Sequence, residues 1–90
     1  MDNESLKIVT SLKTARTALH WTQQDLAERS GVSLVTIARM ETGVMSPRLA
    51  TLSKLKTALS DAGVRIVNES PAGGFSLHVD PKALNQIDRG

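Results

Sequence analysis

The chain has 90 residues, with 11 Lys/Arg against 9 Asp/Glu for a net charge of +2, and no cysteine. That length admits one small domain whose limited core a second subunit can help to stabilise. The lack of cysteine excludes a disulfide framework and a Cys-based metal site, and suits a reducing compartment. The charge is uneven: residues 1–57 carry eight Lys/Arg and five Asp/Glu, residues 58–90 three and four. A phosphate-facing surface would put the basic bias there, and so would an ordinary solvated one. The polar, acidic opening MDNES and the lack of any run of about 18 apolar residues predict neither a secretion signal nor a membrane span. A cytoplasmic protein is the expectation.

In chain order, the spacing of Ile8, Leu12, Ala15 and Leu19 predicts a helix over about Ser5–Leu19 with one apolar face. Thr22 can cap a second helix, 23–30. Asp25 at its third position makes an acidic variant of the capping box, and Trp21 and Leu26 supply a hydrophobic staple. Gly31 stands where a helix ends in the left-handed conformation. The same grammar then repeats: Ser33 can cap a third helix, 34–41, between the staple residues Val32 and Ile37. Residues 44–46 read as a loop. Ser46 is expected to cap a fourth helix with Pro47 at its first position, and Leu49, Leu52, Leu55 and Leu59 then form a leucine stripe that Gly63 ends. The expected core is Leu12, Ala15, Leu26, Ala27, Val32, Ile37, Met40, Leu52 and Leu55.

After Gly63 the pattern changes. Val64–Val67 is β-favouring, and Phe75, Leu77 and Val79 alternate with Ser76 and His78, with turn composition between. This predicts a β-hairpin. Two strands alone are marginal in water, so the hairpin must pack on a helix or join strands from another subunit. Asp80-Pro81 can cap a short terminal helix carrying Leu84 and Ile87. The fold class is therefore mainly α, with a helical domain over 1–62 and a hairpin-and-tail element over 63–90.

Two short helices joined by a glycine turn form the unit that lays a helix into the DNA major groove. The residues that carry it, Gln23, Ala27, Gly31, Ile37, Glu41 and Gly43, with Arg16 seven residues before Gln23, resemble the pattern of the Cro/cI-type (XRE) helix-turn-helix family. The resemblance covers roughly Leu6 to Leu59. It implies a four-helix, lambda-repressor-like domain that binds double-stranded DNA; the fifth helix of phage repressors is not evident here. It also implies that Arg16 and Glu41 form a structural ion pair between the first helix and the end of the third.

Ile37 and Met40 should point inward, which turns Leu34, Val35, Thr36, Ala38 and Arg39 toward or beside the groove. By the register of related phage repressors, Leu34, Val35 and Arg39 contact bases. Many relatives carry polar residues at the first two positions; two aliphatics suggest contact with thymine methyl groups instead. Burial of Leu34 and Val35 in a protein interface is the alternative. Arg39 can donate twice to guanine, a pairing worth about 1–3 kcal/mol of discrimination, whereas a surface ion pair would contribute at most about 1 kcal/mol. Gln23, Thr22, Ser33, Thr36 and Thr42 are candidate donors to the DNA backbone. Thr22 and Ser33 can serve as caps alone. Arg48 is assigned to the backbone or minor groove, as an Arg after this proline is in some relatives, with plain solvent exposure as the alternative.

An enzyme is not expected: His20 and His78 lack catalytic companions, there is no thiol, and no glycine-rich phosphate loop exists. No metal site and no cofactor are predicted. Trp21 and Phe75 alone cannot make a base-stacking platform for single-stranded RNA. The chain reads as a transcription regulator, a homodimeric repressor on an inverted-repeat operator whose recognition helices stand about 34 Å apart. The β-forming carboxyl end is also similar to HipB-type antitoxins, which implies a second reading in which the protein binds a toxin and autoregulates its operon. Val64, Ile66, Phe75, Leu77 and Val79, or the tail from Asp80, are the expected dimer or partner contacts. The alternative is that this face packs on the fourth helix.

Overall fold

Four helices precede a hairpin: α1 (Asn3–Ala18), α2 (Gln23–Ser30), α3 (Leu34–Glu41), α4 (Leu49–Asp61), β1 (Val64–Glu69) and β2 (Gly74–Val79). The computed structural model describes residues 3–69 and 74–81. The bounds of α2 and α3 coincide with those expected from capping, because each start is fixed by a side-chain oxygen. Thr22 accepts from the Asp25 N–H at 3.0 Å while the Asp25 carboxylate accepts from the Thr22 N–H at 2.8 Å, closing the reciprocal box. Ser33 accepts from the Thr36 N–H at 3.1 Å.

The helix ends are equally local. Gly31 ends α2 at φ 78° and Gly43 follows α3 at φ 79°, and nothing lies within 4 Å of where a Cβ would stand on either. The glycines therefore answer to backbone conformation and not to space. At Gly43 the closure is a full Schellman motif: the Gly43 N–H donates to Met40 O at 3.1 Å and the Val44 N–H to Arg39 O at 2.9 Å. α1 ends the same way without a glycine. His20 takes φ 59°, its N–H donating to Thr17 O at 3.0 Å and that of Trp21 to Arg16 O at 3.1 Å.

The core joins Ile8, Val9, Leu12, Ala15 and Leu19 of the first helical segment to Trp21, Leu26, Val32, Ile37, Met40, Leu55, Ala58, Leu59, Ala62 and Val64. Ala27 and Leu52 of the expected core are only partly buried. Two expectations for α4 are corrected. Ser46 does not cap it: Arg48 is the N-cap, extended at ψ 156° and without a side-chain cap bond, so the helix starts two residues later with Pro47 outside it. An extended Arg48 carries the N–H groups of α4 out of reach of the Ser46 hydroxyl. Leu49, expected in the leucine stripe, is 85% exposed, because the first turn of α4 overhangs the core that Leu55 and Leu59 fill.

The strands pair antiparallel from Val64↔Val79 through Ile66↔Leu77 to Glu69↔Gly74. The Asp80 N–H closes the base on Gly63 O at 2.9 Å. The hairpin packs on α1 and α4 of its own chain, burying Val64 completely and Ile66 and Leu77 in part. This is how a two-stranded sheet gains the support it lacks alone. The terminal helix expected with Leu84 and Ile87 lies outside the described residues. Among the described residues no helix is long and apolar enough to cross a membrane, and no group of three or more His, Asp or Glu could hold a metal ion.

Candidate nucleic-acid interface

α3 is two-faced. Ile37 and Met40 are fully buried, and on the opposite side Val35, Ala38, Arg39 and Thr42 recur at the i, i+3, i+4, i+7 spacing of a helix stripe. Leu34 is 40% exposed and Val35 58% exposed, and Arg39 is exposed. Among the described residues, these exposures leave the edge open. Among the described residues Arg39 enters no ion pair, so the surface-bridge alternative is not realised. The stripe thus combines two aliphatic side chains and one uncommitted guanidinium on a convex helix, chemistry suited to base edges in a groove.

What fixes the helix is a buried polar hub at its C-terminal end. Glu41 accepts from Arg16 Nε at 2.9 Å, from Arg16 Nη2 at 2.8 Å and from Gln23 Nε2 at 3.0 Å. Arg16 Nη1 donates to Trp21 O at 2.7 Å. The side chains of Arg16 and Glu41 are 10% and 2% exposed, so this is the structural pair implied by the sequence. The bidentate fork is the geometry that only Arg supplies. Burial alone would raise the Glu41 carboxyl; the hydrogen bonds from Arg16 and Gln23 and the charges of Arg16 and Lys13 outweigh it and hold the group below its ordinary value. The hub ties the end of α1, the start of α2 and the end of α3 into one body. Arg29 adds a lid, stacking over the Trp21 ring at 4.4 Å from its centroid.

The expected backbone donors divide. Thr22 and Ser33 both cap. Ser33 also donates its hydroxyl hydrogen to Thr36 Oγ1 at 2.8 Å, which leaves the Thr36 hydroxyl hydrogen as the outward donor of the pair. The Thr22 hydroxyl accepts from the Asp25 N–H within the box and also favours the charged Asp25 carboxylate. The Asp25 carboxyl is held below its ordinary value, chiefly by the Thr22 backbone N–H and then by the Thr22 hydroxyl. The box is therefore charged at neutral pH. In the first turn of α2, the Gln23 and Gln24 N–H groups remain as open donors.

This geometry narrows one expectation and corrects two. The Gln23 amide, expected to grip phosphate, already donates to Glu41, and only its second N–H is uncommitted. Thr42 turns its hydroxyl back on Ala38 O and Arg39 O, both at 3.1 Å, and its N–H on Ala38 O, so both its donors are committed within the helix. Val64, expected at a dimer or partner contact, is 1% exposed and belongs to this chain's own core. Ile66 and Leu77 are half-buried against that core, and Val79 is 48% exposed; the Phe75 side chain lies outside what the structure describes. Arg48 is exposed at the start of α4. Val44, 72% exposed in the loop after α3, is an outward apolar residue that the sequence pattern did not single out. The Gln23–Glu41 tie was also missed, since no local signal joins residues so far apart.

A family model for helix-turn-helix domains matches residues 12–60, more than half of the chain, from Leu12 in α1 to Ser60 in α4. The match ends before the hairpin and carries nothing about a toxin partner. No curated protein matches the chain.

Proposed function

Since the chain belongs to the Cro/cI-type (XRE) family of helix-turn-helix DNA-binding proteins, we propose that it is a repressor that binds an inverted-repeat operator as a homodimer. Regulation of transcription through double-stranded DNA is the work of the family; the reading of bases by α3 is the finer step. One observation carries that step: Leu34, Val35 and Arg39 stand open on a helix whose other face is sealed into the core. Leu34 and Val35 meet thymine methyl groups, and Arg39 donates to O6 and N7 of a guanine. The Thr22 and Thr36 hydroxyls and the first N–H groups of α2 anchor phosphates on either side and set the register. Arg48, one loop beyond α3, reaches the backbone or minor groove.

One eight-residue recognition helix contacts few bases, which supports a two-fold pair spaced one turn of DNA apart. The hairpin is the proposed joint, through its half-exposed end at Val79. Truncation after Gly63 would strip Val64 from the core, so a surface substitution is the better test. Val79→Arg is expected to shift sedimentation toward monomer while the helical circular dichroism of the folded chain persists; an unchanged dimer would place the joint elsewhere. The function itself is tested by selecting bound sequences from random duplexes at fixed salt. The expected result is an enriched two-fold motif with thymine and guanine in each half-site, and an unenriched pool would contradict it.

A further inference from the structure

The hairpin has an edge that the DNA-binding reading leaves unused. A groove of about 310 Å³ runs between α4 and β1, lined by Lys56, Thr57, Ser60, Arg65, Ile66 and Val67. Three consecutive strand residues share it. Since neighbouring side chains of a strand leave opposite faces, a groove touching all three must follow the edge of the strand. Among the described residues that edge is open: β1 pairs with β2 alone, and no backbone hydrogen bond outside the hairpin involves residues 65–69. Alternate N–H and C=O groups along it therefore face outward without a strand partner.

The charge of the groove selects what can lie there. Lys56 and Arg65 are exposed cations at its two walls, and among the described residues neither forms an ion pair. Among the described side chains no carboxylate lines it, the Thr57 and Ser60 hydroxyls supply further donors, and Ile66 and Val67 add apolar lining. A second copy of this chain pairing β1 with β1 would bring Lys56 and Arg65 of both copies into one groove, and like charges facing each other across strands are destabilising. We infer that the β1 edge, with Lys56 and Arg65, is a docking site for an extended acidic segment of another protein. That segment adds to the sheet as a third strand and sets its carboxylates against the two cations. Main-chain bonds supply affinity in this mode, and the side chains supply selection.

The inference does not depend on DNA binding, and its test contains none in the decisive arm. Full-length protein labelled for amide NMR is titrated with a short synthetic peptide alternating Glu and Val, and separately with the same peptide carrying Lys for Glu. The acidic peptide is expected to shift the amides of residues 65–67 and to protect from exchange that of Ile66, which the strand register turns away from β2, and to bind on the order of tenfold more tightly than the basic one. The doubly charge-reversed chain, Lys56→Glu with Arg65→Glu, should reverse that preference. Both side chains are exposed, so the fold should persist; Lys56→Glu alone, which leaves the strand untouched, should at least abolish the preference. Absence of shifts in β1, or equal response to both peptides, overturns the proposal. So does self-association through β1 that charge reversal removes. If the reversed chain instead loses affinity for random-sequence duplex while the peptide gives no shift, the cations belong to the DNA surface and the proposal is likewise overturned.

Discussion

Replacing Glu41 by alanine strands a charge. In the native fold the carboxylate accepts three hydrogen bonds, two from Arg16 and one from Gln23, and its side chain is 2% exposed. Without it Arg16 keeps only the Nη1 bond to Trp21 O, and its remaining donors face a site closed to solvent. Breaking one half of a buried pair costs about 3–5 kcal/mol. A domain of this size loses about 4–8 °C of melting temperature per kcal/mol, so the variant should melt at least about 12 °C lower at neutral pH. Arg16→Met combined with Glu41→Leu removes both charges and keeps apolar volume, and should lose much less than the single substitution.

The pH dependence follows from the direction of the shift. Glu41 titrates below its ordinary value of 4.5 in the folded state, so the unfolded chain binds its proton first. Its contribution is complete above that value and is lost as pH falls through the lower, folded one. The parent should therefore lose stability on acidification in a range where the Glu41→Ala chain loses less. Thermal melts of the three chains across pH decide the matter. A Glu41→Ala melt superimposable on the parent's would show that the pair is solvated and that the hub does not hold α3.

Four smaller predictions rest on local geometry. Gly31→Ala and Gly43→Ala each force a Cβ into the left-handed region with no clash to relieve, and should each cost about 1–2 kcal/mol in a denaturation experiment. His20→Gly should do the opposite at φ 59°, raising the melting temperature, because the same end motif is then made without the steric penalty. Thr22→Ala opens the capping box and should cost about 1 kcal/mol, and it should let the Asp25 carboxyl rise toward its ordinary value, as an NMR titration can follow. Arg48→Ala should weaken all duplexes alike and lower the slope of log affinity against log salt by about one.

The helical half was legible because its boundaries are written locally. Thr22–Asp25, Ser33–Thr36, Gly31 and Gly43 set the start or end of α2 and α3 within a few residues of each boundary, and capping geometry needs no tertiary information. Ser46 and Pro47 looked like the same grammar and misled, since Arg48 takes the N-cap without any side-chain bond. Leu49 shows the limit of periodicity: a stripe tells which residues share a face, but not where the core beneath it stops. The ion pair was legible only through its family resemblance, and its third member, Gln23, not at all. The hairpin was legible by alternation, but whether it leans on its own chain or on another depends on α1 and α4 meeting Val64, which no strand pattern reports.

The most direct measurement runs the duplex selection in parallel on the parent chain, on Val35→Asn and on Arg39→Ala. If α3 reads bases, Val35→Asn should change the preferred base at one position in each half-site, replacing thymine, and Arg39→Ala should relax a guanine, both symmetrically about the dyad. If all three chains return the same consensus, the outward edge of α3 does not touch the bases.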